Sequence, residues 1–405
     1  MPRRDLLTLE HYFLPACRQA GYNSLMRIVL VGGGSGGHFY PLIAVAESIE
    51  DNCKERTLLE PDLLYLGPPP FDAAALLEHD IRHIESPAGR MRRYPSILNI
   101  FSLFSTSVGI IRSIFVLFRL YPDVIFSTGG FAAFPTLYAA RILQIPVVIY
   151  DADASPGRVS LWSSKFAKWI GLAHPDAAKK FPERVRDKIA RVGHPIRKEI
   201  ESPAKEGGHE FLKIDASIPT VFIMGGSQGS KAINEVLIDA LLELVSRYNI
   251  IHQAGTANLD EVTKISSVVL KDSPYANRYK VFGLLNTLAL RMTAGIAAVV
   301  VARAGSGTIF EVASWGLPSI IIPIPPDVSH DQTENAFSYA RAGAGVVIEQ
   351  RNLSPHVLAA EIQRIVNDPA LREKMSGAAR SFARADAARK IAHALLDIAI
   401  EHEPV

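Results

Sequence analysis

His38 closes a run that is otherwise almost all glycine: GGGSGGHFYP, residues 32–41. Four apolar residues, 28–31, precede it and read as a short buried strand of a parallel sheet. PLIAVAESIEDN, residues 41–52, follows with helical spacing, Pro41 being tolerable in a first turn. Strand, glycine turn and helix leave backbone N–H groups and a helix dipole facing whatever sits above the turn, which suits an anionic group. A tight turn without a ligand is the bland alternative, but one or two glycines would be enough for that. Ser35, Gly36 and Gly37 are therefore candidate ligand contacts, and His38 is the residue among them with proton chemistry.

The spacing Gly32-x-Gly34-x-x-Gly37 also fits the dinucleotide fingerprint. That fingerprint needs an acidic residue about 20 positions on, at the end of the second strand, to hold a ribose. The second strand, DLLYLGP at 62–68, ends in Gly67, while Asp51 has the right count but sits at the end of the helix. The dinucleotide reading is rejected.

Three pieces of the second half offer sugar and phosphate chemistry. GGSQGSKAIN, residues 225–234, places Gly225, Gly226, Ser227, Gln228 and Gly229 at a helix start, suited to a diphosphate. VVVARAGSGTIFEVASWGLP, residues 299–318, ends a strand at Arg303, turns through Ala304, Gly305, Ser306, Gly307 and Thr308, and sets Glu311 one turn into a helix. Ser306 and Thr308 can cap that helix or bond phosphate oxygens. A carboxylate at Glu311 has two acceptor oxygens for the hydroxyls of a ribose; a residue merely favoured by the helix dipole is the plain alternative. PIPPDVSHDQTENA, residues 323–336, then brings Asp331, Gln332 and Asn335 to the start of another helix, where carboxamides can read sugar hydroxyls and Asp331 can cap. A ribose, a diphosphate and a hexose together describe a nucleotide-sugar.

The elements that must position these residues alternate between strand and helix along the chain. Strand-like runs fall at 28–31, 63–66, 124–127, 147–150, 221–224, 250–253, 298–301 and 319–323, which argues for an α/β fold with parallel sheets. At 405 residues two domains are the default, and the second strand–glycine–helix opening at 220–244 suggests two doubly wound ones. The boundary is expected near Arg197, before the polar stretch ESPAKEGGHEFLK at 201–213. Apolar content of 48%, charged content of 21% and a net charge of +2 describe a soluble folded protein with nothing pointing to nucleic acid. Cys17 and Cys53 have no paired spacing, so neither a disulfide framework nor a zinc site is supported, and a reducing cytoplasm fits best. Residues 1–25 carry Asp5, Glu10 and His11 where a signal peptide needs an uninterrupted apolar stretch; they read as an N-terminal extension, with Met26 an alternative start.

Residues 97–120, ILNIFSLFSTSVGIIRSIFVLFRL, approach transmembrane length but contain Asn99 and Arg112. A buried helix is a better reading than a span. A third reading fits better still: Arg90, Arg92 and Arg93 stand beside Ile97, Leu98, Ile100, Phe101 and Phe104, a pairing suited to lying on an anionic membrane surface.

With GGGSGGHFYP, GGSQGSKAIN, RAGSGTIFE and HDQTENA in this order, the chain from about Arg27 onward resembles the MurG family, the bacterial UDP-N-acetylglucosamine transferases of peptidoglycan synthesis. The resemblance implies a GT-B fold of two Rossmann-like domains facing across a cleft: 26–197 for acceptor and membrane, 198–384 for the UDP-sugar, and a C-terminal helix, 385–405, returning to the first. It implies inverting transfer of N-acetylglucosamine to undecaprenyl-pyrophosphoryl-N-acetylmuramyl-pentapeptide by a peripheral protein on the cytoplasmic face of the cell membrane, with no cofactor or metal. Carried over by position, Glu311 meets the uridine ribose, and Ser227, Ser306, Thr308 and Arg197 lie by the diphosphate or uracil. Leu284 offers backbone to the uracil, Asp331 and Gln332 meet the sugar, and Asn234 and Arg303 stand near the site.

The departures from the family fall on the acceptor side. Where the family often has HEQN this chain has Tyr150-Asp151-Ala152-Asp153, its usual tyrosine is Phe131, and an asparagine is Ser160. They leave the donor assignment intact and keep a diacylglycerol-type lipid acceptor open. An imidazole, ordinarily of pKa about 6.5, suits removal of the acceptor proton at neutral pH, so His38 is the expected base, with Asp151 second. A UDP-N-acetylglucosamine 2-epimerase would share the plan and the donor site without needing an acceptor. A non-catalytic membrane scaffold with a relic nucleotide site is the binding-protein alternative.

Overall fold

The computed structural model describes residues 26–89, 97–226, 229–328 and 331–402. Residues 1–25 and Arg90, Arg92, Arg93, Ser227 and Gln228, singled out above, lie outside these, as does the side chain of Ile97.

The chain forms two compact units. One gathers the described residues up to Ala173, Ala177–Pro195 and the segment from Asp386; the other holds His174–Asp176 and Ile196–Ala385. The first is built on seven strands: β1 (Arg27–Val31), β2 (Asp62–Gly67), β3 (Arg82–Glu85), β4 (Val124–Ser127), β5 (Val147–Asp151), β6 (Trp169–Leu172) and β7 (Ile189–Arg191). The second has six: β8 (Thr220–Met224), β9 (Asn249–Gln253), β10 (Tyr279–Phe282), β11 (Ala297–Arg303), β12 (Ser319–Ile322) and β13 (Gly345–Val347). Every pairing is parallel, in the orders β3-β2-β1-β4-β5-β6-β7 and β10-β9-β8-β11-β12-β13. Each sheet thus starts at an inner strand, winds outward one way, then reverses, and the reversal opens a crevice at the carboxyl ends of the two middle strands. β4, β5, β8, β9 and β12 are buried along their length and β1 from Ile28 onward, as expected for sheets covered on both faces.

Two expectations need correction. The runs read from sequence omit β3, β7, β10 and β13, which are the four sheet edges, and the inner strand β6. The first helix spans Gly36–Arg56, so it begins inside the glycine run, and Pro41 falls in its second turn, not its first. The greasy helix Ile97–Leu120 is not a core helix. Ser113 and Leu117 point inward, but Ile100, Phe101, Phe104 and Phe115 are 69%, 65%, 71% and 73% exposed. Residues Leu98–Leu120, of mean hydropathy 1.9, are by length and composition able to cross a membrane.

The helix Ala387–His402 belongs to the first unit and packs on Gly36–Arg56. It buries Ile391, Leu395 and Leu396, and Arg389–Glu55 and Arg56–Asp397 ion pairs, both at 2.7 Å, rim the contact.

Candidate functional site

In the first unit the turn after β1 is pressed from three sides. A Cβ on Gly33 (φ +112°) would stand 2.6 Å from the Tyr65 hydroxyl, and one on Gly34 (φ +85°) 2.7 Å from the Phe131 ring. Neither position admits another residue without rearrangement. Gly36 and Gly37 begin the helix, where N–H groups have no partner within the helix, and a Cβ on Gly37 would meet nothing within 4 Å. Ser35 is the N-cap residue, yet its exposed hydroxyl makes no capping bond.

His38 follows in the first helical turn. Its Nδ1 lies 2.8 Å from the Thr128 carbonyl, while Thr128 Oγ1 donates to the His38 carbonyl at 2.6 Å. A carbonyl only accepts, so Nδ1 carries the proton and the neutral ring presents Nε2 as its basic atom. The backbone of Gly130 (φ +78°) runs beside that edge of the ring: a Cβ there would be 3.5 Å from Nε2. The turns after β1 and β4, which flank the reversal of strand order, therefore hold one imidazole in one tautomer.

Asp151, expected as the second candidate base, is held by its own loop. It is buried at the end of β5, with Oδ1 accepting the Asp153 N–H and Oδ2 the Gly157 N–H, each at 3.1 Å, and a further bond from Ser160. Burial, then the Asp153 charge, pushes its carboxyl up to about 7 against those bonds. A carboxyl so engaged holds its own loop together. Two of the departures noted above, Asp151 and Ser160, thus belong to one hydrogen-bonded loop, and Ser160 Oγ in turn lies where a Cβ on Gly129 would stand.

In the second unit the candidate residues gather on the carboxyl edge of the sheet. The helix Ser306–Ser314 starts directly after β11, and its N-cap is Gly305, with no side-chain cap. Ser306 is buried and turns its hydroxyl to His174 Nε2 at 3.4 Å. Gly307, Thr308 and Glu311 are half-buried. Burial pushes the Glu311 carboxyl up to about 7, and the neighbouring Arg197 charge pulls it back. Arg197 precedes the short helix Lys198–Glu201 and pairs with Glu199; Trp315 Nε1 donates to the Ile200 carbonyl at 2.7 Å and anchors this segment to the Glu311 helix. Arg303 points back to the carbonyls of Ile322 and Pro323, and its burial lowers its pKa to about 10.

The carboxamides expected to read a sugar are partly engaged already. Gln332 Oε1 accepts the N–H groups of Ala304 and Ile324 at 3.1 and 3.3 Å, and buried Asn335 donates to the Ala304 carbonyl at 3.3 Å. They fix the turn after β11 to the helix Thr333–Arg341, leaving Gln332 Nε2 beside Gly305. Asp331 is exposed and accepts the Thr333 N–H at 2.9 Å. Asn234 is further from its expected role: both ends of its amide are inside the unit, Nδ2 on the Ala254 carbonyl and Oδ1 on His252 Nε2. Gly229 (φ +76°) sits against that same carbonyl, so Asn234 supports the glycine turn from beneath. Leu284 is exposed in the turn after β10.

Sequence reasoning missed His174, His252 and Gln253. The last two had a visible signal, a polar pair directly after the apolar Ile250 and Ile251 in the strand NIIHQ. Burial keeps His252 neutral down to about 3, between Asn234 and the Tyr279 hydroxyl. Among the described residues no group of three or more His, Cys, Asp or Glu is placed to hold a metal ion.

Residues 28–172 match the glycosyltransferase family 28 N-terminal domain and residues 220–391 the glycosyltransferase family 28 C-terminal domain. A Treponema denticola protein named UDP-N-acetylglucosamine--N-acetylmuramyl-(pentapeptide) pyrophosphoryl-undecaprenol N-acetylglucosamine transferase is 33% identical over 377 residues, covering 89% of this chain and 93% of its own. A Legionella pneumophila protein of the same name is 35% identical over 341 residues, covering 84% and 88%. Among solved structures, Acinetobacter baumannii MurG superposes with a TM-score of 0.69 at 24% identity, over 92% of this chain and 99% of that one.

Proposed function

The chain belongs to glycosyltransferase family 28, and within it to the MurG family; on that premise we propose that it transfers N-acetylglucosamine from UDP-N-acetylglucosamine to undecaprenyl-pyrophosphoryl-N-acetylmuramyl-pentapeptide, with inversion. The acceptor hydroxyl attacks the anomeric carbon, its proton passes to His38 Nε2, and the bond to the diphosphate breaks so that UDP leaves with the electron pair. The held tautomer of His38 supports its role as base. On the donor side, Glu311 accepts from the ribose hydroxyls, and Arg197 and Arg303 supply positive charge. The N–H groups of Gly307 and Thr308, in the first turn of their helix, oppose the charge developing on the diphosphate.

The observation that carries the donor reading is Glu311, half-buried one turn inside a helix whose N-terminus no side chain caps, with Arg197 beside it. The first unit works as a peripheral protein on the cytoplasmic face of the membrane. The exposed apolar stripe of Ile97–Leu120 supports this, since the helix contains no acidic residue and its two arginines, Arg112 and Arg119, are exposed. Incubation with UDP-N-acetylglucosamine and a panel of lipid acceptors, followed by mass analysis, tests the whole. A disaccharide on the polyprenyl-linked acceptor is expected. Product on diacylglycerol alone would replace the acceptor, and conversion of the donor to UDP-N-acetylmannosamine without any acceptor, read by NMR because the two UDP-sugars have equal mass, would point to an epimerase.

A further inference from the structure

Two places in the second unit serve the donor in this reading: the turn that Gly225 and Gly226 open after β8, and 283–286 after β10. They are not adjacent in the sheet, because β9 lies between β8 and β10. Gln253, the last residue of β9, reaches both. It is buried; its Nε2 donates to the Gly226 carbonyl at 3.3 Å, and its Oε1 accepts the Leu285 N–H at 3.2 Å. Its own carbonyl accepts the Gly225 N–H at 3.1 Å. The atoms beyond these bonds face outward: Gly226 (φ +83°) has open space where a Cβ would stand, and Leu284 is exposed.

We infer that Gln253 is a positioning residue that sets the spacing between the diphosphate turn and the nucleobase turn, so that the two ends of a nucleoside diphosphate bind as one unit. The inference rests on the donor reading above. A carboxamide suits the place because one partner is a carbonyl and needs a donor, while the other is an N–H and needs an acceptor. Glutamate keeps the bond to Leu285 and loses the one to Gly226. Methionine fills the space and makes neither.

The test compares Gln253→Glu and Gln253→Met with the wild-type protein, using calorimetric titration of uridine and UDP alongside the thermal midpoint. The quantity read is the ratio of UDP to uridine affinity, which a general loss of stability does not change. Both variants are expected to lower it about tenfold, the scale of one lost buried hydrogen bond. Uridine affinity itself should hold in the Glu variant and fall in the Met variant. In turnover the Met variant should raise the donor KM and leave kcat within twofold. A wild-type ratio in both variants would overturn the inference, whatever their thermal midpoints. Wild-type protein that bound neither uridine nor UDP would overturn the donor reading itself, and this inference with it.

Discussion

The glycine turns after β1 and β8 occupy equivalent places in two sheets wound the same way, yet they are closed by different means. After β1, neighbouring side chains close the turn: the Tyr65 hydroxyl against Gly33 and the Phe131 ring against Gly34. After β8 the walls are mostly main chain, with the Gln253 carbonyl against Gly225 and the Ala254 carbonyl, beside the Asn258 amide, against Gly229. The helix begins at once in the first case, at Gly36, and carries His38 in its opening turn; in the second it waits for Lys231, behind the N-cap Ser230. One turn displays a side chain and the other displays backbone. Fold alone does not assign function, and in the function proposed above one topology serves proton transfer at one place and anion binding at the other.

The comparison breaks if the two turns cannot be separated by mutation. The largest effect should come from His38→Ala, which is expected to lower kcat about 10²–10⁴-fold while leaving UDP affinity within twofold by calorimetry. A variant with near wild-type turnover would take the base role from His38.

Glu311→Ala should act in the opposite sense, weakening UDP about 10–100-fold through loss of charge-assisted hydrogen bonds to the ribose, with vesicle binding unchanged. Its pH dependence sharpens the point. The carboxyl is held up at about 7, above its ordinary 4.5. Its contribution to folding is therefore most favourable below the unfolded value and declines as pH rises through that window. UDP should reverse the preference, because ribose hydroxyls donate to the ionised form. Affinity is expected to fall below pH 7 by up to about tenfold per pH unit, and to stay flat in Glu311→Gln.

A smaller effect tests what the first unit has and the second lacks. Replacing Ile100, Phe104 and Phe115 together by serine should weaken binding to anionic vesicles about tenfold or more, each apolar side chain contributing on the order of 1 kcal/mol when half-immersed. High salt should release the wild-type protein by screening. UDP affinity should not move. Unaltered sedimentation of the triple variant would remove this helix from the membrane contact.

What sequence could reveal followed burial. The eight apolar runs it found are strands because a residue hidden on both faces leaves an uninterrupted signature, as in Ile28–Val31 or the SIII of β12. The edges escaped because RHIE, IAR, YKVF and GVV are short and only partly covered, so no run of apolar residues marks them. The same logic explains the greasy helix: composition records apolar content but not which side of a helix meets a neighbour. In the site, residue types announced the chemistry of His38 and Glu311. Bonds to backbone carbonyls and N–H groups decided the rest, and sequence does not display them. Ser306 turned inward to His174, and Asn234 went beneath the glycine turn instead of into the site.

The returning C-terminal helix has a consequence for how the chain is made. The first unit contains the described residues up to Ala173 and also Ala387–His402, with all of Ile196–Ala385 synthesised in between. At ordinary elongation rates that insert takes roughly 10–40 s to emerge. Throughout that time the surface of Gly36–Arg56 that receives Ile391, Leu395 and Leu396 stands uncovered. The nascent first unit therefore exposes that apolar surface until Ala387–His402 emerges, while the second needs nothing beyond Ala385. Limited proteolysis of protein truncated after residue 385 should find the second unit resistant and the first still cut. Equal resistance of both would show that the last helix only decorates a unit already complete.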